Sequence, residues 1–142
     1  MNFPLQVLSL GALIAVAGCG ATEQRKPTFR VTGKILAGKE PAVRATVVFH
    51  PANPDANDKT PNPTAKVEAD GTFTLGTYTA DDGAPAGEYA VTIEWYLGPE
   101  SHGGDAESGP DRLGGRYKDP KTTPLHAKVQ EGDNQLPAFI VK

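Results

Sequence analysis

From residue 28 onward, apolar side chains recur at every second position in short runs broken by Gly, Pro, Asn and Asp. Such period-two alternation with β-branched residues marks half-buried strands. Thr28 to Leu36 (TFRVTGKIL) places Val31, Gly33 and Ile35 on one face. Val43 to His50 alternates Val43, Ala45, Val47 and Phe49 against Arg44, Thr46, Val48 and His50. Pro51 to Pro63 is proline-rich and reads as a loop. Thr64 to Glu68 and Thr72 to Tyr78 flank Asp70-Gly71, a hairpin signal because glycine tolerates the positive φ of a tight turn. Glu88 to Leu97 (EYAVTIEWYL) is the clearest strand, with Tyr89, Val91, Ile93 and Trp95 expected to face the core. Gly98 to Pro120 shows no periodicity. Leu125 to Val129 predicts another strand, and Gly132-Asp133-Asn134 turns the chain into a last one, Gln135 to Val141. Pro137 within it implies an edge position or a bulge. No segment carries a helical period. The expected architecture is all-β, a seven-stranded antiparallel β-sandwich spanning 28–142.

The N-terminus has a different pattern. Leu5 to Gly18 (LQVLSLGALIAVAG) carries no charge and ends at Cys19. A spanning helix needs about 20 apolar residues, whereas a signal-peptide core needs about 7–15. The small residues Ala17 and Gly18 would admit the backbone to a peptidase cleft. Val16-Ala17-Gly18-Cys19 resembles the bacterial lipobox, although Val16 stands where Leu is commonest and no Lys or Arg precedes the apolar run. The resemblance implies a signal peptide at 1–18 and lipidation of Cys19. A polar tether would occupy 19–27, and the protein would be held at a cell membrane or outer membrane, outside the cytoplasm. Lipidation also accounts for a single cysteine in an exported chain, where no internal disulfide is possible.

Composition narrows the partners. The formal charge of −3 and the pI near 5.6 argue against nucleic acid. The 142 residues suit one domain with a real core.

The order of several short motifs is more specific than any one of them. Val31-Thr32-Gly33-Lys34-Ile35 is followed by Ala45 to Phe49, then Asp70-Gly71-Thr72-Phe73, then Pro85-Ala86-Gly87-Glu88-Tyr89-Ala90-Val91. The series resembles the carboxypeptidase regulatory-like domain, a transthyretin-like (Ig-like) sandwich. The segment from Arg116 to Val129 resembles the tail of small bacterial lipoproteins that carry one such domain. The resemblance implies a non-catalytic module without a cofactor, serving as a binding or structural unit of the cell envelope. Gly71 and Gly87 would serve turns, and Phe73 and Tyr89 would pack in the core.

Candidate chemistry is sparse. His50, His102 and His126 form no metal-ligand spacing; His50 and His126 read as solvated. The 98–120 loop mixes Glu100, Asp105, Glu107, Asp111 and Asp119 with Arg112, Arg116 and Lys118. A long loop in a compact domain is where a ligand would bind, so His102, Asp105, Arg112, Arg116 and Tyr117 form the candidate ligand site. An envelope protein or a polysaccharide is the expected partner. The alternative is an enzyme or metal protein that uses this loop. The end Phe139-Ile140-Val141-Lys142 lacks the Tyr-Arg-Gly-Ser tail of hydroxyisourate hydrolases. The histidine spacing also lacks the pair of intradiol dioxygenases. Lys34, Asn134 and Glu94 lie at places loosely comparable to the self-cross-linking residues of adhesin modules.

Overall fold

The computed structural model describes residues 24–96 and 109–142. Among the described residues nine strands are formed: β1 (Val31–Ala37), β2 (Glu40–Pro41), β3 (Thr46–Pro51), β4 (Thr64–Lys66), β5 (Thr72–Thr74), β6 (Gly87–Glu94), β7 (His126–Val129), β8 (Asn134–Gln135) and β9 (Phe139–Val141). They make two sheets. One has the order β4-β3-β6-β7, antiparallel throughout. The other is centred on β1, with β5 and β2 antiparallel to it and β8 and β9 parallel to it. Among the described residues no helix is long and apolar enough to cross a membrane.

The sheets meet through the faces that the alternation marks. Val31, Ile35, Phe73 and Val141 from one sheet, and Val47, Phe49, Val91, Ile93 and Val129 from the other, are all buried in one core. Phe49 and Phe73 join the sheets edge to face, with ring centroids 6.4 Å apart. Gly33 lies opposite Phe73 in the ladder, and a Cβ there would come within 2.5 Å of the ring. The missing side chain therefore makes room for the aromatic. Gly71, at φ +86, makes the tight turn between β4 and β5, which pair with β3 and β1 in different sheets rather than with each other; a side chain would strain that conformation.

Two expectations are corrected. The count rises from seven to nine because Glu40–Pro41 folds back on β1 and because the last strand is split around Pro137, whose nitrogen has no proton to donate to a ladder. The domain is also not purely antiparallel. The turn after β7 carries the chain from one sheet to the other, so β8 pairs with β1 rather than with β7 and runs beside it in the same direction.

The strands define two poles. At one, Phe29 bridges Ala84, the proline-rich loop leaves β3, and β6 begins. At the other lie the β1–β2 turn, the end of β6, the segment 109–118 and Lys142.

Candidate functional site

Cys19, His102 and Asp105 lie outside the described residues. The other candidate residues are at the second pole, and the fold engages each of them. Asp111 is the organising group. One oxygen of its carboxylate accepts the backbone N–H of Trp95 and of Leu113, both at 3.0 Å, and the other accepts that of Gly115 at 2.9 Å. A carboxylate satisfying successive backbone donors is the turn chemistry expected of Asp. The bond from Arg112 N to Trp95 O continues the edge of β6 beyond β7.

Arg112 lays its guanidinium over the Trp95 ring, 3.7 Å from the centroid. Trp95 itself is buried and donates its indole N–H to Val43 O at 2.9 Å. Arg116 donates to Lys142 O at 2.8 Å. Tyr117 is only 9% exposed, and its hydroxyl accepts the Lys142 N–H. Leu113 is also in the core. The structure thus brings Arg116 and Tyr117 together around the chain end and places Arg112 on an aromatic. It leaves Tyr117 unavailable as a surface platform. We expect Asp111→Ala to cost roughly 2 kcal/mol, the scale of unsatisfied backbone donors. Thermal unfolding and the emission wavelength of Trp95, whose amide would lose its partner, measure it.

Calcium binding by this loop finds no ligand cage in what is described. Asp119, like Asp111, caps a turn, accepting Lys121 N at 2.8 Å. Among the described residues no three His, Cys, Asp or Glu side chains are placed to hold a metal ion. The cross-link arrangement is absent too. Lys34 is exposed on β1, Glu94 is in the other sheet beside Lys118, and the Asn134 amide donates to Arg30, Gln130 and Gly132 carbonyls.

The histidines behave differently from one another. His126 is exposed. His50 is half-buried, with Nε2 2.9 Å from Thr92 Oγ1 and Nδ1 3.3 Å from Asn62 Nδ2. Burial lowers its pKa, and it is a hydrogen-bonded part of the sheet face rather than a solvated side chain.

Nothing in the period-two alternation signals the first pole's arrangement. A cleft of about 450 Å3 opens there between the N-terminal segment, the 57–61 part of the proline-rich loop and Tyr78. A smaller one of about 210 Å3 adjoins it, between Lys26, Asp55, Asp58 and the start of β6. Asp82 builds the wall. Burial pushes its carboxyl up, but the backbone N–H groups of Thr77, Thr79 and Tyr78 outweigh that and hold its pKa below the ordinary value. Tyr78 is thereby fixed in place. Its hydroxyl accepts Lys26 N–H at 2.9 Å, and the Arg25 guanidinium stands 5.1 Å from its ring centroid. The Lys26 ammonium pairs with Asp58, raising the lysine pKa and, with Thr60 donating to the same carboxylate, lowering that of Asp58. Tyr89, at the floor, donates to Pro85 O at 2.7 Å, and burial pushes its pKa up to about 12. It is a neutral structural donor.

No family model matches the chain, and no curated protein matches it. Among solved structures it is similar to a DUF3823 family protein from Parabacteroides merdae ATCC 43184, at 13% identity and a TM-score of 0.42, over 82% of this chain and 48% of that one. The chain spans about half the length of that protein.

Proposed function

We propose that this is a membrane-anchored lipoprotein whose folded part is a non-catalytic, carboxypeptidase regulatory-like sandwich of the transthyretin-like kind, binding an envelope protein or polysaccharide outside the cytoplasm. The observation that carries the reading is the uncharged run Leu5 to Gly18 ending in Val16-Ala17-Gly18-Cys19, with a sandwich-like domain starting only a few residues later. Signal peptidase cuts before Cys19, and the thiol carries a diacylglycerol. Each buried CH₂ adds about 0.8 kcal/mol, so two or more chains anchor stably.

The non-catalytic part is supported by how polar groups are used. Asp82, Asp111, Asp119, Asn134 and Tyr117 hold turns or chain ends, and His50 is a hydrogen-bonded member of a sheet face. The placement of DGTF at the turn into β5 and of PAGEY at the start of β6 suits the regulatory-like domain.

Labelling growing cells with a radioactive fatty acid tests the anchor. The wild-type chain takes up label and fractionates with membranes. Cys19→Ala takes up none and leaves the membrane fraction. Undiminished label in the variant refutes lipidation at this residue.

A further inference from the structure

The segment before β1 reads in sequence as a polar tether without pattern, yet Arg25 and Lys26 are docked on the domain. Three contacts of different kinds hold them: Lys26 N–H to the Tyr78 hydroxyl, the Lys26 ammonium to Asp58, and the Arg25 guanidinium on the Tyr78 ring. Asp82 fixes the backbone that presents Tyr78. Just beyond, Phe29 and Ala84 exchange both backbone hydrogen bonds at 2.9 Å. The chain therefore leaves the domain along a defined path across the first pole.

We infer that the docked segment orients the domain, so that the pole carrying the proline-rich loop and Tyr78 faces the lipid bilayer and the pole carrying residues 109–118 faces away. The inference rests on the lipid anchor proposed at Cys19. A free tether from Cys19 to Pro27 would let the sandwich tumble. With the chain fixed from Arg25, the backbone from Cys19 to Arg25 can reach at most about 20 Å even if fully extended. That is shorter than the sandwich is long, since the eight residues of β6 alone span about 25 Å. The far pole cannot turn to the membrane without undocking Arg25 and Lys26. The ends of the 97–108 segment, at Tyr96 and Gly109, belong to the far pole, where Tyr96 bridges Asp111. The candidate residues Arg112 and Arg116 are thus presented to the periplasmic or external medium, with Tyr117 buried beneath them. Ligands too large to fit beneath the domain can reach that end.

The full-length chain, lipidated in cells and reconstituted in phosphatidylethanolamine–phosphatidylglycerol vesicles containing a nitroxide-headgroup lipid, tests this. A fluorophore is placed on Asn57→Cys at the near pole or on Lys39→Cys at the far pole; the acylated Cys19 does not take the label. With the poles about 25 Å apart, quenching at position 57 should exceed that at 39 by about twofold or more. Adding Tyr78→Ala and Asp58→Ala should bring the two positions to similar quenching. Equal quenching without those changes, or stronger quenching at 39, overturns the orientation while leaving the anchor standing. A chain that does not float with the vesicles at all overturns the anchor and the orientation together. Zero-length carbodiimide coupling of the full-length chain checks the docking itself. A Lys26–Asp58 linked peptide is the expected product, and its absence overturns the docked path.

Discussion

Replacing Phe49 by alanine lowers the stability of the domain by about 4 kcal/mol, within the range for an aromatic removed from a packed core. Phe49 is fully buried in β3. Its ring meets Phe73 of the opposite sheet at 6.4 Å and Tyr89 of the neighbouring strand at 5.6 Å. The aromatic contacts contribute beyond the area buried, and backbone-paired strands on both sides leave the cavity little room to collapse. A domain of this size has about 5–15 kcal/mol in total, so the variant is left close to its threshold. Urea unfolding read through Trp95, the one tryptophan, gives the measurement. The midpoint should fall steeply with the slope unchanged. A loss under about 1 kcal/mol would mean that the sheets are not joined through this ring. Val48→Ala, on the outer face of the same strand, is the control and should cost much less.

Gly83→Ala should destabilise by roughly 3–5 kcal/mol, the sum of a left-handed backbone forced on an L residue and the loss of backbone pairing. Gly83 has φ +91, and a Cβ there would lie 1.9 Å from Phe29 O and 2.4 Å from Phe29 C. Those are backbone atoms, which cannot swing aside like the end of a side chain. The Phe29–Ala84 pair has to open, and with it the path of Arg25 and Lys26 over the domain. The damage should therefore be greatest at the first pole. Amide exchange should accelerate at Phe29 and Ala84, whereas the β3–β6 ladder should keep its protection relative to the global stability. Uniform acceleration across both sheets would show that the close approach at Gly83 does not act locally.

The candidate site shows where sequence reading stops. Gly98 to Pro120 has no periodicity, so it reads as one long loop. Its described half is tied to residues distant in the chain: Asp111 to Trp95, and Arg116 and Tyr117 to Lys142. A lone Asp or Arg carries no mark of its partner when that partner is backbone, since any residue type offers the same N–H or C=O. Tyr117 was one of few aromatics outside the clear strands, and nothing local says that it enters the core. The same blindness applies to Arg25 and Lys26, whose partners Asp58 and Tyr78 are 32 and 52 residues away. A weak signal existed in Tyr78 followed by Asp81 and Asp82, an aromatic beside turn formers and within reach of a basic segment.

The sheet faces were more legible, with an instructive exception. Tyr89, Val91, Ile93 and Trp95 are buried as alternation requires, but so are Ala90 and Thr92 on the other face of β6. Period two tells which side of a strand faces the core. It does not tell that β6 lies inside its sheet, between β3 and β7, where neighbouring side chains such as His50 cover small residues on the outer face.

The all-β class, the inward faces of the main strands and the Asp70-Gly71 turn are legible in the chain's own pattern, as is a local disturbance of the last strand at Pro137. Each of these depends on interactions within a few residues: side chains alternating about a pleat, glycine's freedom in φ, proline's missing donor. That β8 and β9 run parallel to β1, that Asp111 and Asp82 organise opposite poles, and that Arg25 and Lys26 are docked emerges only in the closed fold. Those outcomes depend on which distant backbone groups meet once the two sheets close on Phe49 and Phe73, and a backbone group has no letter in the sequence to announce it.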